Sequence, residues 1–178
     1  MLFKKHLFFI FAAMNKRQVI IGLGSNLGDR AAYLAQARRL VDTHAGVIVR
    51  ASKLAETEAW GFEAPPFLNQ IIVILTEQQP LELLDVLQEI ERRLGRMVKT
   101  HYEDGVPVYH NRTIDIDILD YDHISYQDER LTLPHPHIRE REFVIQQLRE
   151  LDLLGEFLNT KDAKATKYAK VAEITKIG

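Results

Sequence analysis

Residues 112–121 read Arg112-Thr113-Ile114-Asp115-Ile116-Asp117-Ile118-Leu119-Asp120-Tyr121, with isoleucine and aspartate alternating through the middle. A period of two marks a β-strand, because successive side chains point to opposite faces. Ile114, Ile116 and Ile118 pack toward a core, and Asp115 and Asp117 project together from the other side. This is the pattern of a strand in an antiparallel sheet with one polar face. Asp120 and Asp122 continue the acidic run past the expected strand end and read as surface.

The fold reading extends outward from this strand. Phe67 to Thr76 (FLNQIIVILT) and Gln18 to Gly24 (QVIIGLG) are apolar, β-branched runs of strand length. Val47 to Thr57 alternates loosely and reads as one further strand. Arg30 to His44 carries Tyr33, Leu34, Ala37, Leu40 and Val41 at helical spacing, with Gly46 just beyond it. Pro80 stands where a first-turn proline belongs. The helix it opens puts Leu83, Leu84, Leu87, Ile90 and Leu94 on one face and closes at Gly95. Lys99 to Asn111 shows no period and reads as a loop. His123 to Leu133 reads as a hairpin, Pro134-His135-Pro136 as a rigid turn, and Arg139 to Leu151 as a helix. The order β-α-β-β-α-β is that of a ferredoxin-like α+β fold, an antiparallel sheet with helices packed on one face, here with an appended hairpin and C-terminal helix.

Composition limits what such a domain does. The chain has 178 residues, 23 Lys plus Arg against 25 Asp plus Glu, and no cysteine. That length suits one domain with a real core. The near-neutral balance argues against sequence-independent nucleic-acid binding. Without cysteine there is no disulfide framework and no thiolate zinc site, which fits a reducing compartment; the expected location is the cytoplasm. Met1 to Ala13 has Lys4-Lys5 followed by a short apolar run, the order of a signal peptide but too short to span a bilayer. The simplest reading is an extension over 1–13, a working domain over 14–158 beginning at Met14, and a Lys- and Ala-rich tail over 159–178.

The chemistry gathers around the acidic pair. Two same-side carboxylates about 6–7 Å apart on a strand repel each other unless a cation lies between them. Hard oxygen donors suit Mg²⁺. Arg112, Arg130, Arg141 and His135 flank the pair in sequence, and arginine suits bidentate phosphate contacts. Gly22-Leu23-Gly24-Ser25-Asn26-Leu27-Gly28 has the spacing GxGxxxG, which departs from the dinucleotide fingerprint and reads as a tight turn. His135-Pro136-His137 likewise reads as a turn rather than a metal pair. Gln88 and Glu91 lie one turn apart, opposite the leucine face, as a base-reading pair or a solvated face. Phe67 and Asn69 share one side of a strand and offer a ring and an amide to a flat heterocycle.

Taken in order, GLGSNLGDR at the first turn, Phe67-Leu68-Asn69, Leu87-Gln88-Glu89-Ile90-Glu91 with Gly95-Arg96, Arg112 to Leu119, Leu131-Thr132-Leu133-Pro134-His135-Pro136 and Arg141-Glu142-Phe143-Val144 resemble the hydroxymethyl-dihydropterin pyrophosphokinase family of folate biosynthesis. The resemblance runs from about Val19 to Leu151. It implies a ferredoxin-like fold and transfer of the β,γ-pyrophosphoryl group of ATP to the hydroxymethyl oxygen of a reduced pterin, releasing AMP. It implies two Mg²⁺ ions on Asp115 and Asp117, with Arg112 and Arg141 beside them in the catalytic set. Nucleotide contacts fall on Gln88, Glu91, Arg112, Ile118, Arg130, Thr132, His135 and Arg141, and the pterin slot on Thr57, Trp60, Phe67, Asn69 and Phe143. ATP and the pterin are the expected partners, with no nucleic acid, no membrane and no obligate protein partner.

The chain departs from the family pattern at Glu58 after Thr57, at Val98, at Tyr109 in place of a tryptophan, and in the length of 101–108. All of these lie in loops expected to cover substrates. A binding-only relative would keep the fold and lose an aspartate, and neither aspartate is lost. An RNA-binding ferredoxin-like module would need aromatic and basic strand residues, and the alternation of Ile and Asp is the opposite in charge.

Overall fold

The computed structural model describes residues 16–59, 64–96, 101–103, 106–108 and 110–155. Within them the chain runs β1 (Arg17–Ser25), α1 (Arg30–His44), β2 (Val47–Ala51), β3 (Ala55–Thr57), β4 (Phe67–Thr76), α2 (Pro80–Arg93), β5 (His101–Glu103), β6 (Val106–Val108), β7 (Asp115–Tyr121), β8 (Tyr126–Gln127), β9 (Thr132–Leu133) and α3 (Glu142–Glu150). The main sheet has the order β2-β4-β1-β7, with β3 also paired to β4. All these pairings are antiparallel.

The sheet separates two apolar layers. On one side Val19, Ile21, Leu23, Ile72, Ile74, Ile114, Ile116 and Ile118 pack against Leu34, Ala37 and Val41 of α1 and Leu83, Leu87 and Ile90 of α2. On the other side Ile20, Ile71, Val73 and Leu119 meet Val144 and Leu148 of α3. The two helices of the expected β-α-β-β-α-β unit thus share one face, and the appended helix covers the other. β1 and β4 are apolar on both faces, and a second layer is what keeps Ile20, Ile71 and Val73 out of water.

The period-two stretch forms β7, starting at Asp115; Arg112 to Ile114 precede the strand. The register against β1 pairs Ile21 with Ile118 but Ile20 with Asp120, leaving Leu119 as an extra residue in a bulge. The bulge shifts the alternation by one. Ile118 and Tyr121, three apart, consequently share the helix-covered layer. It also draws Asp120 inside: the residue read as surface is 1% exposed and lies within the strand.

The single strand expected over Val47 to Thr57 is two. Ser52 donates its N–H to the Ile71 carbonyl, and its hydroxyl accepts the Ile71 N–H. The hydroxyl takes the acceptor place of a backbone carbonyl, so the chain can leave the ladder at Lys53 and rejoin it at Ala55. The loop expected between Lys99 and Asn111 contains the antiparallel pair β5 and β6. The expected hairpin is β8 with β9. Asp29 caps α1 by accepting from the Ala32 N–H at 3.0 Å, after a turn at Gly28 with φ of +68° that favours glycine. The extension over 1–13, Trp60, Val98, Tyr109 and the tail over 159–178 lie outside the described residues.

Candidate active site

One cleft opens on the α3 side of the sheet. Its floor is Gly22 and Gly24 of β1, and its walls include Phe67 and Asn69 of β4, Asp115 and Asp117 of β7, Thr57, Arg112, and Arg141, Phe143 and Val144 at the start of α3. At Gly24 the floor has little room for a side chain. A Cβ on Gly24 would stand 3.0 Å from Asn69 Oδ1 and 3.5 Å from the Phe67 ring, closing the gap where a planar ligand could lie. Asn69 Nδ2 donates to Thr57 Oγ1 at 2.7 Å, which fixes the amide. The Arg112 guanidinium sits over the Phe67 ring, 5.7 Å from its centroid, as a cation–π partner.

Asp115 and Asp117 project into this cleft while their isoleucine neighbours face the helices. Arg96 Nη1 donates to Asp115 Oδ1 at 2.5 Å and Arg112 Nη1 to Asp115 Oδ2 at 3.1 Å. Arg141 Nη1 lies 3.5 Å from Asp117 Oδ2. Burial pushes both carboxyls up, and the arginines divide them. Around Asp115, Arg112, Arg96 and Arg141 outweigh the burial and hold it below the usual carboxylate range. Asp117, penalised by burial and by the charge on Asp115, is raised to about 6. Two close carboxylates pushed apart in acidity mark a site built for cationic company.

Two elements set the arginines. Asn26, at the end of β1, accepts the Arg112 N–H on Oδ1 at 2.8 Å and donates from Nδ2 to Asn111 Oδ1 at 2.8 Å. Its own N–H bonds to the Arg112 carbonyl at 3.2 Å. The GxGxxxG turn is therefore a clamp on the segment entering β7. Arg96 follows Gly95, whose φ of +84° ends α2 and turns the chain toward β7. Arg96 was not among the sequence-expected site residues, although it stood inside one of the matching motifs. Gly22 and Gly24 belong to the expected strand and to the GxGxxxG turn, and neither reading makes them part of the site. Their signal was an apolar strand carrying glycine at alternate positions, both on the aspartate side of the sheet.

Of the remaining expected residues, Glu91 and His135 bond to the backbone of β7, which is an edge strand, and the others are spread over neighbouring elements. Glu91 is 5% exposed, not a solvated helix residue: its Oε1 accepts the Ile116 N–H at 2.8 Å and also pairs with Arg96. Burial, then the Asp115 charge, raises its carboxyl to about 7. Ile118 buries its side chain in the core, so only its backbone is available at that edge. His135 donates its N–H to the Leu119 carbonyl at 2.8 Å. Burial, then Arg141 and His137, lowers its imidazole to about 4, and its Nδ1 accepts the His137 N–H at 3.2 Å, as a neutral ring would. Arg130 is exposed and paired with Asp85 of α2, and Thr132 is exposed on β9. Gln88 is half-buried on α2. Thr57, Phe67, Asn69 and Phe143 come together at the cleft, where Arg112, Asp115, Asp117 and Arg141 also meet; Trp60 is outside the described residues.

Residues 20–153 match the family model for 7,8-dihydro-6-hydroxymethylpterin-pyrophosphokinase. A 2-amino-4-hydroxy-6-hydroxymethyldihydropteridine pyrophosphokinase of Porphyromonas gingivalis is 43% identical over 135 residues, 75% of this chain and 89% of the relative. The enzyme of that name from Bacillus subtilis is 41% identical over 133 residues, 74% of this chain and 75% of the relative. A crystal structure of an HPPK-DHPS in complex with substrates matches 90% of this chain with a TM-score of 0.61 at 15% identity, a likeness of fold, and this chain spans 44% of that longer one. The chain belongs to the 7,8-dihydro-6-hydroxymethylpterin-pyrophosphokinase family.

Proposed function

We propose that the cleft divides into a pterin slot, a metal corner and a nucleotide edge, and that this division carries out the family's reaction. The chain transfers the pyrophosphoryl group of ATP to the hydroxymethyl group of 6-hydroxymethyl-7,8-dihydropterin, in folate biosynthesis, releasing AMP. The observation that carries the division is the Asp115–Asp117 pair held among three arginines at the mouth of a glycine-floored, aromatic-walled cleft. The strand order and the helices after β1 and β4 support the ferredoxin-like reading of the topology.

Asp115 and Asp117 are the residues that would hold two Mg²⁺ ions. Two hard carboxylates beside room for phosphate oxygens suit Mg²⁺, which keeps waters and substrate phosphates in its shell. Ions held there would supply charge neutralisation for the triphosphate and Lewis-acid polarisation of the phosphorus under attack. The arginines then have a second task. Arg112 and Arg141, now turned to the aspartates, stand where their guanidinium groups would clamp phosphate oxygens of the group in transit. Gln88, Glu91, Ile118, Arg130, Thr132 and His135 flank the nucleotide on β7 and the elements beside it. Phe67 and Phe143 enclose the pterin ring, with Asn69 and Thr57 reading its edge and Trp60 in the adjoining loop. Alignment of the hydroxymethyl oxygen with the β-phosphorus, and exclusion of water, are what these walls contribute to rate. A single domain over 14–158 is supported by the matched span of 20–153. A cytoplasmic setting is supported by the absence of cysteine. Among the described residues no helix is long and apolar enough to cross a membrane.

The reaction is tested by incubating the protein with Mg²⁺, ATP and the hydroxymethyl-dihydropterin and following AMP. Pterin-dependent AMP is the expected product, and ADP would overturn the reaction type. The metal corner is tested by Asp115→Ala and Asp117→Ala, each expected to lower turnover by roughly 10³-fold or more while circular dichroism stays unchanged. Near-normal turnover in either folded variant would remove the metal assignment.

A further inference from the structure

Behind the slot lies a buried polar group with no part in the division just described. Gln147 of α3 is 3% exposed. Its Nε2 donates to the Asn69 carbonyl on β4 at 3.1 Å and to the Lys53 carbonyl between β2 and β3 at 3.1 Å. Both partners are carbonyl oxygens, so the end facing them must be the NH₂ group. Its Oε1 is buried and accepts no hydrogen bond among the described residues. That unmet acceptor is a cost, set against the two backbone carbonyls that the amide satisfies. What glutamine supplies, and leucine or methionine does not, is two donors aimed at two different elements.

The two carbonyls belong to the slot's frame. Asn69 is the residue whose side-chain amide is fixed by Thr57. Lys53 lies at the corner where Ser52 ties the chain to β4, and Gln70 Nε2 donates to the Ser52 carbonyl at 2.6 Å. Glu150, near the end of α3, accepts the Lys53 N–H at 3.1 Å, and Arg50 donates to the Leu151 carbonyl at 2.9 Å. One turn before Gln147 on the same helix face stands Phe143. Through Gln147, the strand carrying Phe67 and Asn69 is fixed to the helix carrying Phe143.

We propose that Gln147 is a positioning residue for the pterin: it sets the gap between the Phe67 and Phe143 walls and holds the Asn69 backbone in register with them. The inference rests on the reading of this cleft as the pterin slot. A ring held between two faces tolerates little change of spacing, so a small drift of α3 weakens pterin binding first; of the expected nucleotide contacts only Arg141, at the start of the helix, rides on α3, and the others belong to other elements.

The test is steady-state kinetics on Gln147→Met, which keeps the volume and removes both donors. The expected result is a KM for the pterin raised about tenfold, with the KM for ATP within about twofold of wild type, as for two buried hydrogen bonds lost on the pterin side alone. Leu148→Ala is the control, because it loosens the same helix without touching the polar tie. It should lower Tm at least as much and move the pterin KM less. Equal rises in both KM values, or the same pterin KM in Gln147→Met and Leu148→Ala, would overturn the proposal. Should Gln147→Met not fold, Gln147→Asn is read instead; it stays polar and uncharged but falls one methylene short of the two carbonyls, and should give the same selective loss. Asn69→Ala and Phe143→Ala separate the two levels. If neither raises the pterin KM, the slot reading fails; if they do and Gln147→Met does not, only the positioning role fails.

Discussion

Asp115 and Asp117 stand two positions apart with the same side chain, and their surroundings make them different acids. Asp115 receives two arginine hydrogen bonds, while Asp117 has Arg141 at 3.5 Å and the charge of Asp115 beside it. The alternation announced that both point one way; only folding could assign the arginines. Glu91 extends the effect. It and Asp117 bind a proton more tightly in the folded chain than in the unfolded one, with values of about 7 and about 6. The stability they contribute is full below the ordinary carboxylate range and is lost as pH rises through 6 and 7. His135, lowered to about 4, works the other way, losing its contribution as pH falls from about 6.5 toward 4. The informative quantity is therefore the difference between the wild-type chain and Glu91→Gln, which still accepts the Ile116 N–H and cannot ionise. In metal-free protein, Glu91→Gln is expected to gain about 1–3 kcal/mol on wild type between pH 5 and pH 8, measured by urea denaturation. A constant difference across that range would remove the assignment to Glu91. The sequence left Glu91 open between reading a base and a solvated face opposite the leucines; four residues after Leu87 and seven after Leu84, it in fact shares their face, and the edge of β7, with an N–H to satisfy, gives its carboxylate a partner there.

At the level of elements, the turn after β1 shows how local reading and tertiary role diverge. Its glycines and Asn26 were legible as turn chemistry, and Gly28 and Asp29 behave as such. What no local pattern contained is that Asn26 is bonded to a segment 86 residues away. Asn26→Ala removes its two side-chain hydrogen bonds of 2.8 Å and leaves the Arg112 N–H unmet. The expected cost is about 2 kcal/mol in urea denaturation, with turnover reduced tenfold or more because Arg112 loses its backbone anchor. Full turnover in a destabilised Asn26→Ala would show that Arg112 is held in place by other contacts. The division of Val47–Thr57 into β2 and β3 was hidden for a related reason. Residue types there suit a strand throughout, and it is the Ser52 hydroxyl, met by Ile71 across the sheet, that lets the chain step off the ladder.

For the molecule as a whole, the sheet is a partition with two helices on one side and α3 with the cleft on the other. Leu148, 0% exposed, is central to the second layer. Leu148→Ala is expected to destabilise the protein by about 2–5 kcal/mol, read from a shift in the denaturation midpoint without loss of cooperativity. A change under about 0.5 kcal/mol would mean that α3 packs weakly and the second layer is not a true core. Legible in the residues alone were the long strands β1, β4 and β7, the three helices, their order and the shared side of Asp115 and Asp117, because these follow from periodicity, turn residues and caps acting over a few positions. Motif order alone also pointed to the family. The tertiary structure alone decided that the aspartate side is covered by α3, that Leu119 bulges and draws Asp120 inside, that Arg96 reaches Asp115, and that Gln147 ties the slot together. Each of these is a contact between segments far apart in the chain, fixed by sheet register and by the need of buried polar groups for partners, and neither is written in local spacing.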